Sequence, residues 1–234
     1  MRKWLCGALA ALLLVLLSCV SLADSEGAVV QSSCSVVASG QYHLVYCYAQ
    51  IHNNSKEIIC LENGTFELHG GDQILATQSV SQIWPYFINP GEDGYLFDVV
   101  AFEPDENGNP VVPQITGLTY EIAYMTVDKH FAALDLSAVA TIEQDAGGGL
   151  TVLCAITNGN DEDAFDPTVA FGLYTDGGAM VYADGLTLRN VGLPAGETML
   201  LRFPIDDAIA EQWRSFGANI TGAHVNASFS SGAD

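Results

Sequence analysis

The chain has 234 residues, with 28 Asp and Glu against 7 Lys and Arg and a formal charge of −21. Apolar residues make up 49% and charged residues only 15%, so there is enough apolar surface for a core and a disordered acidic tail is excluded. The same charge balance excludes nucleic acid as a partner, because a polyanion is repelled and few cations exist to meet phosphates.

The first element is an address. Arg2 and Lys3 form a positive start, Leu5 to Leu17 is an almost unbroken Ala/Leu run, and Ser21-Leu22-Ala23 precedes Asp24. This pattern predicts a secretory signal peptide over residues 1–23. The apolar run is shorter than the ~20 residues needed to cross a bilayer, and no later stretch is long enough. A second processing site overlaps the first. Leu16-Leu17-Ser18-Cys19 approximates a lipobox and would place a lipid on Cys19. Soluble export and a lipid anchor both stay open, and neither leaves a membrane span in the mature chain. Removal of residues 1–23 takes two cations and no acids, so the exported protein is still more acidic.

The next segment reads as a hairpin. Ser39-Gly40-Gln41-Tyr42 is a turn, and pairing Ser39 with Tyr42 brings Cys34 opposite Cys47. Among Cys34, Cys47, Cys60 and Cys154, an exported chain allows three full pairings. A Cys34–Cys47 disulfide is the first expectation and Cys34–Cys60 the second, with Cys154 a buried thiol. Val45 to Ile51 continues as an apolar strand. Phe66 and Leu68 alternate along another, Gly70-Gly71-Asp72 turns, and Ile74-Leu75 returns. Trp84-Pro85-Tyr86-Phe87 is the densest aromatic run. Glu103 to Pro113 is an acidic loop whose prolines exclude a regular helix.

Beyond residue 131 the pattern starts again. Ile51-His52-Asn53 matches Ile156-Thr157-Asn158, and Phe66 to His69 matches Phe171 to Tyr174. Gly91-Glu92 matches Gly196-Glu197, and Ile115-Thr116-Gly117 matches Ile220-Thr221-Gly222, all at an offset of 105 residues. This spacing exceeds a solenoid unit of ~20–50 residues and predicts a duplicated domain. The predicted division is 24–131 and 132–234. Val169, Phe171 and Leu173 alternate with smaller residues, Thr175 to Gly178 turns, and Ala179 to Tyr182 returns. Short strands with regular turns predict two tandem all-β sandwiches. One segment differs: Asp206 to Phe216 reads as a short helix. Ile209, Trp213 and Phe216 form its apolar stripe, Asp206 caps it and Gly217 stops it.

Asn158, the Phe171-Gly172-Leu173-Tyr174 run, Gly177-Gly178 and Pro194-Ala195-Gly196 resemble the FxLYD-type extracellular domain of bacteria. The first copy departs from that pattern at His69 and at Pro90-Gly91. The resemblance implies an immunoglobulin-like sandwich on cell-envelope proteins and implies no catalytic residues.

Functional residues are sparse. His43, His52, His69, His130 and His224 show no metal-ligand spacing, and neither a G-x-S-x-G elbow, a P-loop nor H-E-x-x-H occurs. No cofactor and no metal are expected. The acidic runs Asp105–Asn109 and Asn158–Asp163 lack the ligand spacing of a calcium loop and read as solvated turns. Four glycosylation sequons, at Asn53, Asn63, Asn219 and Asn226, are discounted beside a bacterial export signal. Trp84, Tyr86 and Phe87 are the candidate contact residues, because the equivalent Arg189 to Gly192 is not aromatic and the fold does not demand the aromatics; inter-domain or core packing is the competing reading of the same run. The expectation is a non-enzymatic, secreted or surface-anchored envelope protein that recognises a surface protein or glycan. The alternative is a hydrolase working through a carboxylate pair.

Overall fold

The computed structural model describes residues 27–128 and 133–230. The signal segment 1–23, Cys19 and the predicted division at 131/132 lie outside the described residues.

The first half holds β1 (Gly27–Ser39), β2 (Tyr42–Asn53), β3 (Ile58–Gly70), β4 (Gln73–Ser79), β5 (Ile83–Trp84), β6 (Phe87–Ile88), β7 (Asp93–Phe102) and β8 (Gly117–Val127). The second half holds β9 (Ala133–Gln144), β10 (Leu150–Thr157), β11 (Ala164–Phe165), β12 (Thr168–Thr175) and β13 (Met180–Thr187). It continues with β14 (Gly192–Leu193), β15 (Thr198–Pro204), α1 (Asp207–Ser215) and β16 (Ile220–Ser230). The protein is therefore an all-β sandwich fold with one short helix.

In the first half, the sheet β1-β2-β7-β5 faces a second sheet in which β3 pairs with β8 on one edge and with β4 and β6 on the other. In the second half, six strands run β13-β12-β16-β9-β10-β15. Strand β9 changes sheets: Leu136 still pairs with β16, and Ser137 onward pairs with β10.

Several ladders repeat at the 105-residue offset. Cys47↔Asp98 corresponds to Val152↔Phe203, Phe66↔Tyr120 to Phe171↔Val225, and Ile59↔Ile88 to Ala164↔Leu193. Two buried asparagines hold equivalent corners. Asn53 Nδ2 donates to the Glu57 and Ile88 carbonyls, and Asn158 Nδ2 donates to those of Glu162 and Leu193. Each backbone N–H and C=O of these residues also joins the following turn, at Glu92 and Gly91 or at Glu197 and Gly196. Both side chains are fully buried. With both amide hydrogens of Asn53 committed inside, its sequon is not a glycan acceptor in the folded protein.

One core lies between the sheets of the first half, with Val45, Cys47, Ala49 and Ile51 of β2 facing Phe66 and Leu68 of β3. The other core is shared. It joins Val37, Tyr48, Trp84 and Tyr95 of the first half to Phe171, Tyr182, Phe203 and Trp213 of the second. The outward face of β2 and β7 therefore packs on the outward face of β12 and β13. That surface is made of small residues: Ala170↔Gly185 and Gly172↔Ala183 are cross-strand pairs. A Cβ on Gly172 would lie 2.7 Å from the Tyr95 ring, and one on Gly185 would lie 2.6 Å from Trp84. Burial is accordingly continuous from Val169 to Leu173 and from Met180 to Ala183, because both faces of these strands are covered.

Helix α1 follows the sequence closely. Asp206 caps it, its side chain accepting from the Ala208 N–H at 2.8 Å, and Ile209 and Trp213 are buried. Gly217 ends it at φ 69°. Phe216, expected in the apolar stripe, is 39% exposed, because it is the C-cap, one residue beyond the last helical residue Ser215.

The disulfide expectation needs correction. Cys34 and Cys47 are register partners, as the hairpin predicts, yet all four described cysteines are free, buried thiols. The Cys47 thiol lies toward its own strand, 3.9 Å from the Val45 carbonyl. A facing position sets the Cα separation but not the side-chain torsions a disulfide requires. Burial pushes the Cys34 thiol up to about 11 and the Cys154 thiol up to about 12, so these groups pack as small apolar side chains.

Candidate functional site at the junction

The segment Trp84 to Phe87 and its counterpart Arg189 to Gly192 are equivalent in sequence, and packing of the halves brings them to one place. Trp84 to Phe87, and Arg189 of the counterpart, line a cleft of about 420 Å³ between the halves. This is within the ~300–1,000 Å³ of small-ligand sites.

The three aromatics expected to make contact divide into different roles. Trp84 is only 8% exposed and packs on Gly185, so it anchors the two halves. Tyr86 is 57% exposed and Phe87 half-buried. Their rings meet edge to face at 4.8 Å, a favoured geometry that fixes the Tyr86 ring at the cleft.

The opposite wall is polar. Thr168 and Thr187, a cross-strand pair, join their hydroxyls at 2.9 Å. Asp166 has φ 49° and Asn190 φ 60°, the two non-glycine residues with positive φ among those described. They are tied together: the Asp166 carboxylate accepts from the Asn190 N–H, and the Asp166 N–H donates to the Val191 carbonyl. Left-handed backbone at non-glycine residues is uncommon, and it persists where surrounding bonds enforce it, often at binding sites. The bond holds the turn that carries Arg189, whose exposed side chain lines the cleft. Ser228 contributes a further hydroxyl.

The halves also share a polar network, outside the cleft lining. Tyr95 Oη lies 2.8 Å from His224 Nδ1 and 3.3 Å from Tyr174 Oη, which donates to Gln50 at 3.0 Å. His52 Nδ1 is 2.8 Å from Asp93, and Asn226 donates to the Asp93 carbonyl at 2.7 Å. Burial drives the Tyr95 hydroxyl well above its ordinary value and the Tyr174 hydroxyl up to about 12, so both are hydrogen-bonding phenols rather than acids.

Other candidate loops are self-satisfied. The Asp105 carboxylate accepts from the backbone N–H groups of Asn107 and Asn109 and from the Asn109 amide. Those bonds, led by Asn109, hold its pKa below the ordinary value. Asn158 is a buried corner, not a cation ligand. Among the described residues no group of three or more His, Cys, Asp and Glu could hold a metal, and no helix is long and apolar enough to cross a membrane.

Tyr86 and Phe87, expected as contact residues, line this cleft beside Asp166, Thr168, Thr187 and Ser228, which the sequence did not single out. The usable signal was the equivalence of the two segments at the 105-residue offset, combined with the small residues Ala170, Gly172, Ala183 and Gly185, which mark where another surface lands. No family model matches the chain, and no curated protein is significantly similar to it.

Proposed function

We propose that the protein is a non-catalytic recognition module of the bacterial cell envelope, secreted or surface-anchored, and that the junction cleft takes a glycan. The observation that carries the reading is the cleft itself. Trp84 to Phe87 supplies an exposed aromatic ring, the equivalent position Arg189 supplies a cation beside the left-handed Asn190, and Thr168, Thr187 and Ser228 supply hydroxyls. Sugars have apolar ring faces and polar edges, which suits one aromatic wall and one hydroxyl wall. The resemblance to FxLYD-type domains and the export pattern at residues 1–23 support the envelope location.

Asp166 is the one acid among the residues lining the cleft, whereas glycoside hydrolysis commonly uses two facing carboxyl groups. A carboxyl pair does exist elsewhere: burial raises the Glu92 pKa, and the Asp135 charge raises it further. Neither residue lines the cleft.

The test is a screen of immobilised glycans and envelope proteins with the wild-type chain and Tyr86→Ala side by side. Glycan binding that falls about tenfold or more in Tyr86→Ala, with an unchanged melting temperature, supports the reading. Binding to a protein alone, or glycan binding equal in both chains, overturns it. Mass spectrometry of the mature N-terminus separates the two export routes: Asp24 first means soluble, a lipidated Cys19 means anchored.

A further inference from the structure

The recognition reading leaves the ligand's chemistry open, and one residue narrows it. Four Lys and Arg residues lie in the described chain. Arg202 pairs with Glu143 at 3.7 Å, and Arg214 pairs with Glu211 and donates to the Gly148 carbonyl. Lys56 does not line the cleft. Arg189 does, and it makes no ion pair or hydrogen bond among the described residues. In a chain with four acids for every cation, a guanidinium without a carboxylate, carried on a turn held in the left-handed region at Asn190, is a conspicuous vacancy of charge. The neighbouring Asp166 makes no ion pair with it among the described residues; its carboxylate accepts from the Asn190 N–H instead.

We infer that the ligand is an oligosaccharide bearing a single carboxylate sugar, whose acid group meets Arg189 while an adjoining ring lies against Tyr86. The inference rests on the recognition reading and specifies its ligand. A planar guanidinium offers parallel N–H donors that match a carboxylate in a two-point pair. Thr168, Thr187 and Ser228 supply hydroxyls to the sugar's own hydroxyl groups. The number of charges follows from the whole molecule. A net charge of −21 repels a polyanion, and the cleft lining, with Arg189 its one cation and Asp166 its one acid, offers a single guanidinium to a single carboxylate. A doubly charged phosphate is disfavoured on the same grounds.

The experiment is an array of neutral, mono-carboxylated, sulfated and phosphorylated oligosaccharides. The tightest mono-carboxylated member is then titrated beside its methyl ester and its carboxyl-reduced form. Wild type, Arg189→Gln, Arg189→Lys and Tyr86→Ala are compared, with thermal melts to establish that each is folded. The expected result is about tenfold tighter binding of the free carboxylate than of either neutral form. Arg189→Gln erases that difference, Arg189→Lys keeps part of it, and Tyr86→Ala weakens all three ligands alike. Equal binding of the acid and its neutral forms, a preference for sulfate or phosphate, or an Arg189→Gln chain that still discriminates would overturn the inference and leave glycan recognition standing. Silence across the whole array overturns both.

Discussion

Asn53 and Asn158 do the same work at equivalent corners, and each shows why one polar residue can be buried without loss. Two amide hydrogens meet two carbonyls, and the amide oxygen accepts from the N–H two residues on, at Ser55 or Asn160. Nothing on either side chain is left unsatisfied. Asn158→Ala strands the Glu162 and Leu193 carbonyls and the Asn160 N–H, so it should cost about 2 kcal/mol or more. Chemical denaturation at constant m-value measures this, and a loss below about 0.5 kcal/mol would refute the corner's role. In the sequence, Asn158 stood out as an asparagine after an apolar strand, and Asn53 as its match at the 105-residue offset and as a sequon, but neither cue showed that the side chain is buried. The reason lies in what each cue encodes: a sequon is three residues of local pattern, whereas burial is set by residues 35 positions away. The cysteines teach the same lesson. Register followed from the hairpin turn, but torsion did not, so the facing pair was legible and its redox state was not.

At the scale of elements, local rules were sufficient for α1, the hairpin of β1 and β2, and the strands around Phe66 and Phe171. In each case the information is short-range: a capping Asp, a stopping Gly, an alternation of two. What local rules missed is the meaning of the small residues between the large ones. Ala170, Gly172, Ala183 and Gly185 look like the solvent side of an alternating strand, and in the first copy the position equivalent to Gly172 is the charged Glu67. They form instead a flat platform for Tyr48, Trp84 and Tyr95. Gly185→Ala places a methyl group 2.6 Å from Trp84, and neither the buried indole nor the paired backbone can move freely. Overpacking of this kind costs about 1–3 kcal/mol. Gly159→Ala meets nothing within 4 Å and serves as the control from the same half. Melting temperatures should fall clearly for the first and stay within a degree or so for the second; equal values would mean that Trp84 does not seat on β13. Because Trp84 and Tyr86 flank one proline, Gly185→Ala should also weaken any ligand that Tyr86 holds.

For the molecule as a whole, charge and the shared core set the behaviour. Burial raises the carboxyl pKa values of Asp98 and Asp184, and burial followed by the Asp135 charge raises that of Glu92. A carboxyl with a folded value above its unfolded one binds its proton more tightly in the native state. Its stabilising contribution is complete below the unfolded value, near pH 4 for Asp and Glu, and is lost as pH rises through the folded value. Lower net negative charge at mild acidity acts in the same direction. Asp105 runs the opposite way, but its carboxylate is fully exposed and screened by solvent. The melting temperature should therefore be higher near pH 5 than near pH 8, and Glu92→Gln with Asp184→Asn should flatten the slope. A melting temperature that rises with pH across this range would contradict these assignments.

Ladders recur in the two halves at one offset, the second half contributes a platform and the first the aromatics that land on it, and the cleft lies where they meet. The most direct test is calorimetric unfolding of the intact chain. One transition, with calorimetric and van't Hoff enthalpies equal and the whole peak shifted down by Gly185→Ala, is the predicted result. Two separate transitions, with the Gly185→Ala change confined to one of them, would show that the halves stand alone and that the junction is not a built site.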